Sequence, residues 1–177
     1  MNIINVRYYK SPVGELIIGE YKGKIRLCDW RYRKMRAAID QRIQNGLEAV
    51  YVERDALIID DVIAQLDSYF EGDLEMFDLP LHLVGTSFQQ DVWYELIKIP
   101  YGKTDSYKGL SRKLYKEKAI RAVASANGAN AIAIIVPCHR IIGSNSELVG
   151  YAGGLPAKKK LLQLESKNKL PEQLHLF

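Results

Sequence analysis

The chain has 177 residues, of which 47% are hydrophobic and 26% charged, and it carries a formal net charge of +4. This composition is that of a globular protein with one large or two small domains, and no apolar run approaches the roughly 20 residues of a membrane-spanning helix. The N-terminus lacks the basic, apolar and small-residue segments of a signal peptide. We therefore expect a cytoplasmic protein that does not bind a membrane.

The positive charge is concentrated in the second half of the chain. Residues 86–177 carry 14 Lys/Arg and 7 Asp/Glu, whereas residues 1–85 carry 11 and 14. A basic half beside a mildly acidic half favours a polyanionic partner such as nucleic acid. Scattered lysines on a solvated surface are the alternative that charge alone leaves open.

The first half has the pattern of a mixed α/β domain. The turn signal Ser11-Pro12-Val13-Gly14 separates two strand-like runs, and apolar residues recur at helical spacing between residues 56 and 70. The predicted strands are 5–9, 15–20, 24–30 and 78–84, the predicted helices are 31–45 and 56–70, and a linker is expected near Gly85.

The second half has the pattern of a helical domain. Thr86 with Gln89 fits a capping box ahead of an apolar helix face, and Ser106 suits the start of a short helix that runs to about residue 115. A small-residue helix, 119–126, follows closely, so the pair is a candidate helix-turn-helix, although two packed core helices would look the same. The remaining predicted elements are a strand or extended run at 131–136 and a last helix at 157–165, with Pro156 at its first turn, before a loosely ordered tail.

The run from residue 134 to residue 140, Ile-Ile-Val-Pro-Cys-His-Arg, carries the strongest functional signal. It brings Cys138 into a proline-directed turn beside His139. The chain has two cysteines, which show neither a CxxC pair nor zinc spacing, so we expect no zinc site. A thiol attacks electrophiles as the thiolate, and a neighbouring base or positive charge helps it to ionise. An inert buried cysteine is the alternative.

The motif Pro137-Cys138-His139-Arg140 resembles the active-site signature of the O6-alkylguanine-DNA alkyltransferases, also called methylated-DNA–protein-cysteine methyltransferases. The resemblance continues in register over about residues 85–166, and in the first half it is confined to residues 11–16, Ser-Pro-Val-Gly-Glu-Leu. The other matching motifs are Gly85-Thr86-Ser87-Phe88-Gln89, Val92-Trp93, Ile99-Pro100-Tyr101-Gly102, Ser106-Tyr107, Arg121-Ala122-Val123, Asn130, Gly150-Tyr151-Ala152-Gly153-Gly154, Lys158, Leu161-Leu162 and Glu165.

This resemblance implies an α/β (α+β) fold in two parts. An N-terminal ribonuclease-H-like α/β domain would span residues 1–84. A C-terminal helical domain, with a winged-helix-like helix-turn-helix and the cysteine, would span residues 85–170. Residues 171–177 would form a tail.

The resemblance also implies chemical roles for four residues. Cys138 would attack the alkyl carbon on guanine O6 in line and keep the alkyl group, so that each molecule acts once. His139 would deprotonate Cys138 through a water, and Glu165 would orient His139 and stabilise its charged form. Tyr107 would donate a proton or a hydrogen bond to the guanine as it leaves.

The implied partner is double-stranded DNA that bears O6-alkylguanine or O4-alkylthymine, bound by a monomer through the minor groove, where sequence information is poor. Arg121 would fill the gap left by the flipped nucleotide. The small residues Ala122 and Ser125 would allow a close approach to the DNA, and Lys108 and Ser144 would contact it. The backbone around Val136, Cys138 and Ile141, with Tyr151 and Ala152, would line the guanine pocket, and Asn130 would be a hinge.

Two positions depart from the family pattern, because Ala131 stands where proline is common and Lys160 where an aromatic residue is frequent. Three other functions are weighed against alkyl transfer. A protein that only flags lesions would resemble relatives that lack the cysteine, which is present here as Cys138. A Cys–His–Glu hydrolase would turn over many times. A transcription factor that senses alkylation would bind one operator sequence.

Overall fold

A four-stranded sheet with two helices forms the first half of the protein, whose computed structural model describes residues 1–166. The elements are β1 (Asn2–Ser11), β2 (Gly14–Tyr21), β3 (Lys24–Trp30), α1 (Arg36–Leu47), β4 (Ala49–Glu53) and α2 (Leu57–Glu71). The strand order is β3-β2-β1-β4. β2 pairs antiparallel with β1 and with β3, whereas β4 pairs parallel with β1.

Helices dominate the second half, as expected. The elements are α3 (Ser87–Ile97), β5 (Asp105–Ser106), α4 (Tyr107–Lys113), α5 (Ile120–Gly128), β6 (Ile141–Ile142) and α6 (Leu155–Ser166), with short 3-10 turns at Glu117–Ala119 and Cys138–Arg140. The predicted capping box is confirmed: Gln89 N donates to Thr86 Oγ1 at 3.2 Å, and Thr86 N donates to Gln89 Oε1 at 3.0 Å. Ser106 caps α4 through its Oγ, which accepts from Gly109 N at 3.0 Å.

One hydrophobic core joins the two halves. Ile18 and Trp30 of the sheet pack in the same cluster as Val92 of α3, Leu161 of α6 and Cys138. Burying apolar side chains from both halves in a common core stabilises their relative position. The cysteine therefore lies where the sheet and the helices meet.

The run 131–136, predicted as a strand or an extended run, does not form a continuous strand. Cys28 of β3 exchanges two backbone hydrogen bonds with this run, from Cys28 N to Ala131 O at 2.9 Å and from Ala133 N to Cys28 O at 2.6 Å. Ile134 then has a φ of 71°, in the left-handed region, so the chain turns away instead of continuing as a strand. The result is a compact loop attached to β3 just ahead of the cysteine.

Three other boundaries differ from the predictions. The run 78–84 is extended but joins β3 only through the bridge between Ile25 and Leu81, so it is not a full strand. The strand β4 was not predicted, because its parallel pairing with β1 depends on residues far away in the chain. The helix expected from residue 31 begins at Arg36, because residues 31–35 form turns beside β3.

Within residues 1–166, no helix is both long and apolar enough to cross a membrane. The predicted tail, 171–177, and the end of the predicted C-terminal domain, 167–170, lie outside the described residues.

Candidate active site and nucleic-acid interface

Cys138 lies at the floor of a cavity between the two halves of the protein. It opens the 3-10 turn that follows Pro137, and its side chain is almost completely buried. The cavity has a volume of about 590 Å³, within the range of small-molecule sites. Residues that line it include Asp29, Arg33, Met35 and Arg42 from the first half and Tyr107, Ser125, Asn127, Asn130, Tyr151 and Ala152 from the second.

The thiol of Cys138 is protonated at neutral pH. Burial raises the pKa of the Cys138 thiol to about 11, although a hydrogen bond with the Asn130 side chain opposes the shift. At pH 7 such a thiol is almost entirely protonated. The site therefore needs a base that takes the proton during the reaction.

His139 and Glu165 are brought together, as the sequence predicted. His139 Nε2 lies 2.7 Å from Glu165 Oε1, and both side chains are fully buried. Burial lowers the pKa of His139 more than the adjacent carboxylate raises it, so the imidazole is neutral at pH 7. Because Glu165 accepts at Nε2, that nitrogen carries the proton and Nδ1 is the basic atom. Nδ1 has no hydrogen-bond partner within residues 1–166.

The Glu165 carboxylate is held ionised by its donors. Burial alone would raise the pKa of Glu165, but His139 and Arg140 outweigh it and hold the pKa well below its usual range. Arg140 donates from Nε at 2.9 Å and from Nη2 at 3.0 Å. Tyr69 of α2 and the backbone N–H of Gly102 donate to it as well, at 2.8 and 3.1 Å. A carboxylate with this many donors is a fixed negative charge that stabilises an imidazolium.

Asn130 organises the loop that carries the cysteine. Its Nδ2 donates to Val136 O at 3.0 Å, and its Oδ1 accepts from Ile132 N at 2.9 Å. The same side chain makes the hydrogen bond with Cys138 described above. One buried amide thus connects the start of the loop, its end and the thiol.

Two arginines of the first half donate hydrogen bonds to backbone carbonyls just before this loop. Arg33 donates to Gly128 O and, at 3.0 Å, to Asn130 O, and Arg42 donates to Ala129 O at 2.8 Å. The fully buried Asp29 pairs with Arg33 and with Arg36, each at 2.9 Å. The sequence reasoning missed this cluster. Its signal was Asp29 itself, because a carboxylate in an apolar strand is rare unless it is paired.

Tyr107 stands at the cavity wall as the first residue of α4. Burial raises the pKa of its phenol, and the nearby Cys138 raises it further, while a hydrogen bond with Asn127 opposes the shift. The phenol is therefore protonated at neutral pH and can donate to a group bound in the cavity.

Of the six residues expected to contact DNA, Tyr107 is half-buried and the other five lie exposed. They are Lys108, Arg121, Ala122, Ser125 and Ser144. Arg121 and Ser125 belong to α5, whose opposite face is buried through Val123 and Ala126.

The predicted pocket residues divide into two groups. Tyr151 and Ala152 line the cavity. The side chains of Val136 and Ile141 are fully buried in the core, which is compatible with the prediction that these two residues contact the base through their backbone. Gly153 lets the glycine-rich loop lie against β3, since a Cβ there would be 2.3 Å from the Trp30 ring.

Lys158 fixes the other end of that loop. Its fully buried ammonium donates to Ile141 O and, at 2.6 Å, to Val149 O. Burial lowers the pKa of Lys158 to about 8. Within residues 1–166, no three or more His, Cys, Asp or Glu side chains are grouped to hold a metal ion.

Comparison with known proteins gives one consistent family. The model described as "6-O-methylguanine DNA methyltransferase, ribonuclease-like domain" matches residues 4–83, and the model of the corresponding DNA binding domain matches residues 87–167. A methylated-DNA–protein-cysteine methyltransferase of Mycobacterium leprae is 40% identical over 178 residues, which cover 99% of each chain.

Two further relatives extend this comparison. A Methanosarcina barkeri protein of the same name is 41% identical over 159 residues, which cover 90% of this chain and 95% of the relative. The crystal structure of Mycobacterium tuberculosis OGT in complex with DNA is similar at a TM-score of 0.79 and 37% identity, covering 92% of this chain and 93% of that one.

Proposed function

The chain belongs to the methylated-DNA–protein-cysteine methyltransferase family, and we propose that it repairs DNA by transferring the alkyl group of O6-alkylguanine, or of O4-alkylthymine, irreversibly to Cys138. The observation that carries the proposal is the buried contact between His139 and Glu165 beside a cysteine that faces the cavity. Because the pKa of the thiol is raised, the reaction requires a neutral base to take its proton and a fixed negative charge to stabilise the protonated base.

The chemistry follows from the protonation states. His139 Nδ1 takes the thiol proton, through a bridging water because adjacent side chains do not meet directly. The sulfur of Cys138 attacks the alkyl carbon, the new C–S bond forms, and the bond from that carbon to guanine O6 breaks with its electron pair left on guanine. The thiol proton ends overall on the guanine ring, and Tyr107 stabilises the leaving base by donating a hydrogen bond.

The product is a thioether, which the chain has no described means of cleaving. Each molecule would therefore act once, without metal or organic cofactor. This single use separates the proposal from a hydrolase, which would regenerate its cysteine.

Access to the lesion requires that the nucleotide leave the stacked duplex. We propose that α4 and α5 approach the minor groove as a helix-turn-helix, that Arg121 fills the vacated space, and that the base enters the cavity above Cys138. The exposed small residues Ala122 and Ser125 support a close approach of α5. Lys108 and Ser144 would contact phosphates, and Tyr151, Ala152 and the backbone near Val136 and Ile141 would hold the base.

We also propose a domain boundary, a hinge, an oligomeric state and a cellular location. The boundary between the two domains lies after residue 84, between the sheet and α3. Asn130 acts as the hinge ahead of the loop that carries Cys138. We propose a monomer, because the described site is completed by one chain. A reactive thiol survives best in a reducing compartment, which supports a cytoplasmic location.

The decisive experiment is the intact mass of the protein after it is mixed with a duplex that contains one O6-methylguanine. We expect a gain of one methylene mass, mapped to Cys138 and saturating at one per molecule. Cys138→Ser should bind the same duplex and gain no mass. Binding without a mass gain by the unmodified protein would overturn alkyl transfer and indicate a lesion-flagging protein. Release of product beyond one per molecule would indicate a hydrolase.

A further inference from the structure

Trp30, the last residue of β3, is held in place by two glycines from separate segments of the chain. A Cβ at Gly153 would be 2.3 Å from the indole ring, and a Cβ at Gly14 would be 3.0 Å from it. The indole is buried, with 4% of the residue exposed. Backbone from both halves of the protein therefore packs directly on this ring, and at Gly153 any larger residue would force the ring to move.

The indole also contacts Tyr151, a residue of the cavity wall. The two ring centroids are 5.7 Å apart and the ring planes are inclined at 75°, which is the favourable edge-to-face arrangement. Tyr151 lines the cavity, whereas Trp30 is not part of the cavity wall. A side chain of the first half thus supports a side chain of the second half that faces the cavity.

Each of these two rings carries a buried polar atom without a complete hydrogen bond. Neither Trp30 Nε1 nor Tyr151 Oη has a partner of normal geometry in the part of the chain that the structure describes. Burial raises the pKa of the Tyr151 phenol well above its usual value, and an interaction with the Trp30 side chain opposes that rise, so the donor and the acceptor lie near each other. A small movement that completed this hydrogen bond would be favourable, because buried polar groups without partners cost free energy.

The burial of the Tyr151 hydroxyl determines how this residue can serve a bound base. The oxygen is inaccessible while the residue as a whole is half-buried, so the ring, and not the hydroxyl, faces the cavity. His139 also lies edge-on to this ring, with the centroids 6.4 Å apart. A ring that is supported by two other aromatic side chains offers a fixed surface on which a flat base can stack.

We propose that Trp30 is a positioning residue for the alkylated base and that it acts through Tyr151. When the base enters the cavity and stacks on the Tyr151 ring, the ring moves towards Trp30, and the indole N–H donates a complete hydrogen bond to the Tyr151 hydroxyl. The base is then held in the orientation that in-line attack by Cys138 requires. This inference rests on the proposed function and gives the first half of the protein a part in orienting the substrate.

A double-mutant cycle on the single-turnover rate tests whether Trp30 acts through Tyr151. Trp30→Phe removes the indole N–H and Tyr151→Phe removes the hydroxyl, so each should slow transfer from saturating damaged duplex about 3- to 10-fold, the effect of one lost hydrogen bond. Because both substitutions remove the same bond, the double variant should be within about 2-fold of the slower single variant. Trp30→Phe should change the affinity for undamaged duplex less than about 2-fold, because the ring is buried away from the proposed DNA surface.

Trp93→Phe is the matched control. Trp93 is the other tryptophan of the chain, is buried to a similar degree at 2% exposed, and donates from Nε1 to Ala126 O at 2.8 Å. Its variant loses the same ring area and also one N–H donor, so it should lower the melting temperature at least as much as Trp30→Phe does. Any effect of Trp93→Phe on the rate should multiply with that of Tyr151→Phe, because the two changes remove different interactions.

Tryptophan fluorescence gives a second readout, which a loss of stability alone would not change. In a Cys138→Ser background the alkylated base stays unreacted. Adding a duplex with one O6-methylguanine should then shift the emission to longer wavelength as the indole N–H gains its partner, and undamaged duplex should not. The shift should be lost in Trp30→Phe and in Tyr151→Phe and kept in Trp93→Phe. If Trp30→Phe fails to fold, Tyr151→Phe still provides the test, since it keeps every ring.

The outcomes separate this inference from the proposed function. A transfer rate of Trp30→Phe equal to that of the unmodified protein, or losses that multiply in the double variant, would show that the Tyr151 hydroxyl acts without Trp30 and would overturn the inference. If Cys138 gains no methyl group, the proposed function fails. The damaged duplex then still tests the contact between Trp30 and Tyr151 through the emission, and the absence of a shift would overturn it.

Discussion

Arg33 Nη1 donates a hydrogen bond to the backbone carbonyl of Asn130 over 3.0 Å, although 97 residues separate the two along the chain. Asn130 in turn makes a hydrogen bond with Cys138. The first half of the protein therefore positions the loop that carries Cys138 through a direct hydrogen bond, in addition to the apolar core that the two halves share.

Because Arg33 contacts Asn130, we expect a substitution of Arg33 to lower both the stability of the protein and the rate of alkyl transfer. Arg33→Lys keeps the charge but cannot bridge Asp29 and the carbonyls of Gly128 and Asn130 at once. We expect a loss of about 2 kcal/mol of unfolding free energy, which lowers the melting temperature by about 4–8 °C. The single-turnover rate on saturating duplex should fall about 10-fold.

Arg36→Lys is the control for this prediction. Arg36 also pairs with Asp29, but within residues 1–166 it makes no hydrogen bond to residues 128–130. Its variant should lower the melting temperature while the transfer rate changes less than about 2-fold. Equal rate losses in the two variants would show that general destabilisation, and not the loop contact, limits the reaction.

The pKa shifts predict an unusual dependence of the transfer rate on pH. Burial lowers the pKa of His139 below its usual value, so the base is already free at pH 7. The rate should be flat from about pH 7 to 9 and should fall only below about pH 6.5, where the usual titration of histidine begins. Rapid-quench single-turnover kinetics across this range would measure it.

His139→Gln is expected to reverse that profile. The amide still donates to Glu165 but cannot accept the thiol proton, so the rate depends on spontaneous ionisation of Cys138. Because the pKa of Cys138 is about 11, that rate should rise about tenfold for each pH unit between 7 and 9. A flat profile in the variant would contradict His139 as the base.

The role proposed for Arg121 predicts that its loss slows alkyl transfer more from a duplex than from a single strand. If its exposed side chain fills the gap left by the flipped nucleotide, Arg121→Ala should slow transfer from a duplex by about 10- to 100-fold. Transfer from a single strand, where the lesion is already unstacked, should change less than about 3-fold. Equal losses on the two substrates would indicate that Arg121 only binds phosphate. Lys108→Ala offers a comparison for that simpler role.

Alkylation itself should destabilise the protein. Cys138 borders the cavity but is only 4% exposed, and its sulfur makes a hydrogen bond with the Asn130 side chain, so a methyl group on the sulfur crowds that contact. Overpacking of this kind costs about 1–3 kcal/mol, so the melting temperature of the methylated, DNA-free protein should fall by several degrees. Cys138→Ser treated with the same duplex should show no change. An unchanged melting temperature after stoichiometric methylation would contradict the prediction that methylation of Cys138 destabilises the fold.

Local interactions explain which elements were predicted correctly. The reciprocal bonds of Thr86 and Gln89 and the cap of Ser106 join residues three apart, so their geometry depends on nearby sequence alone. The amphipathic spacing of α2 and the apolar face of α3 are local in the same sense. For these elements, periodicity and capping were sufficient.

Non-local interactions explain the errors. β4 exists because β1 offers it a parallel partner, and the run 131–136 turns at Ile134 although its composition is that of a strand. The Asp29–Arg33 cluster and the Tyr69 donor to Glu165 join residues that are distant in the chain or have no motif of their own. Spacing in the sequence contains no information about such contacts.

The sequence by itself determined the family and the residues that we propose react, because the motif Pro137-Cys138-His139-Arg140 and the later Glu165 specify residue types in a fixed order. Only the tertiary structure decided their chemical state. Burial in a core shared by both halves raises the pKa of Cys138, keeps His139 neutral, and surrounds Glu165 with donors that hold it ionised. Protonation depends on the surroundings of each group in space, and those surroundings come from parts of the chain that no local pattern connects.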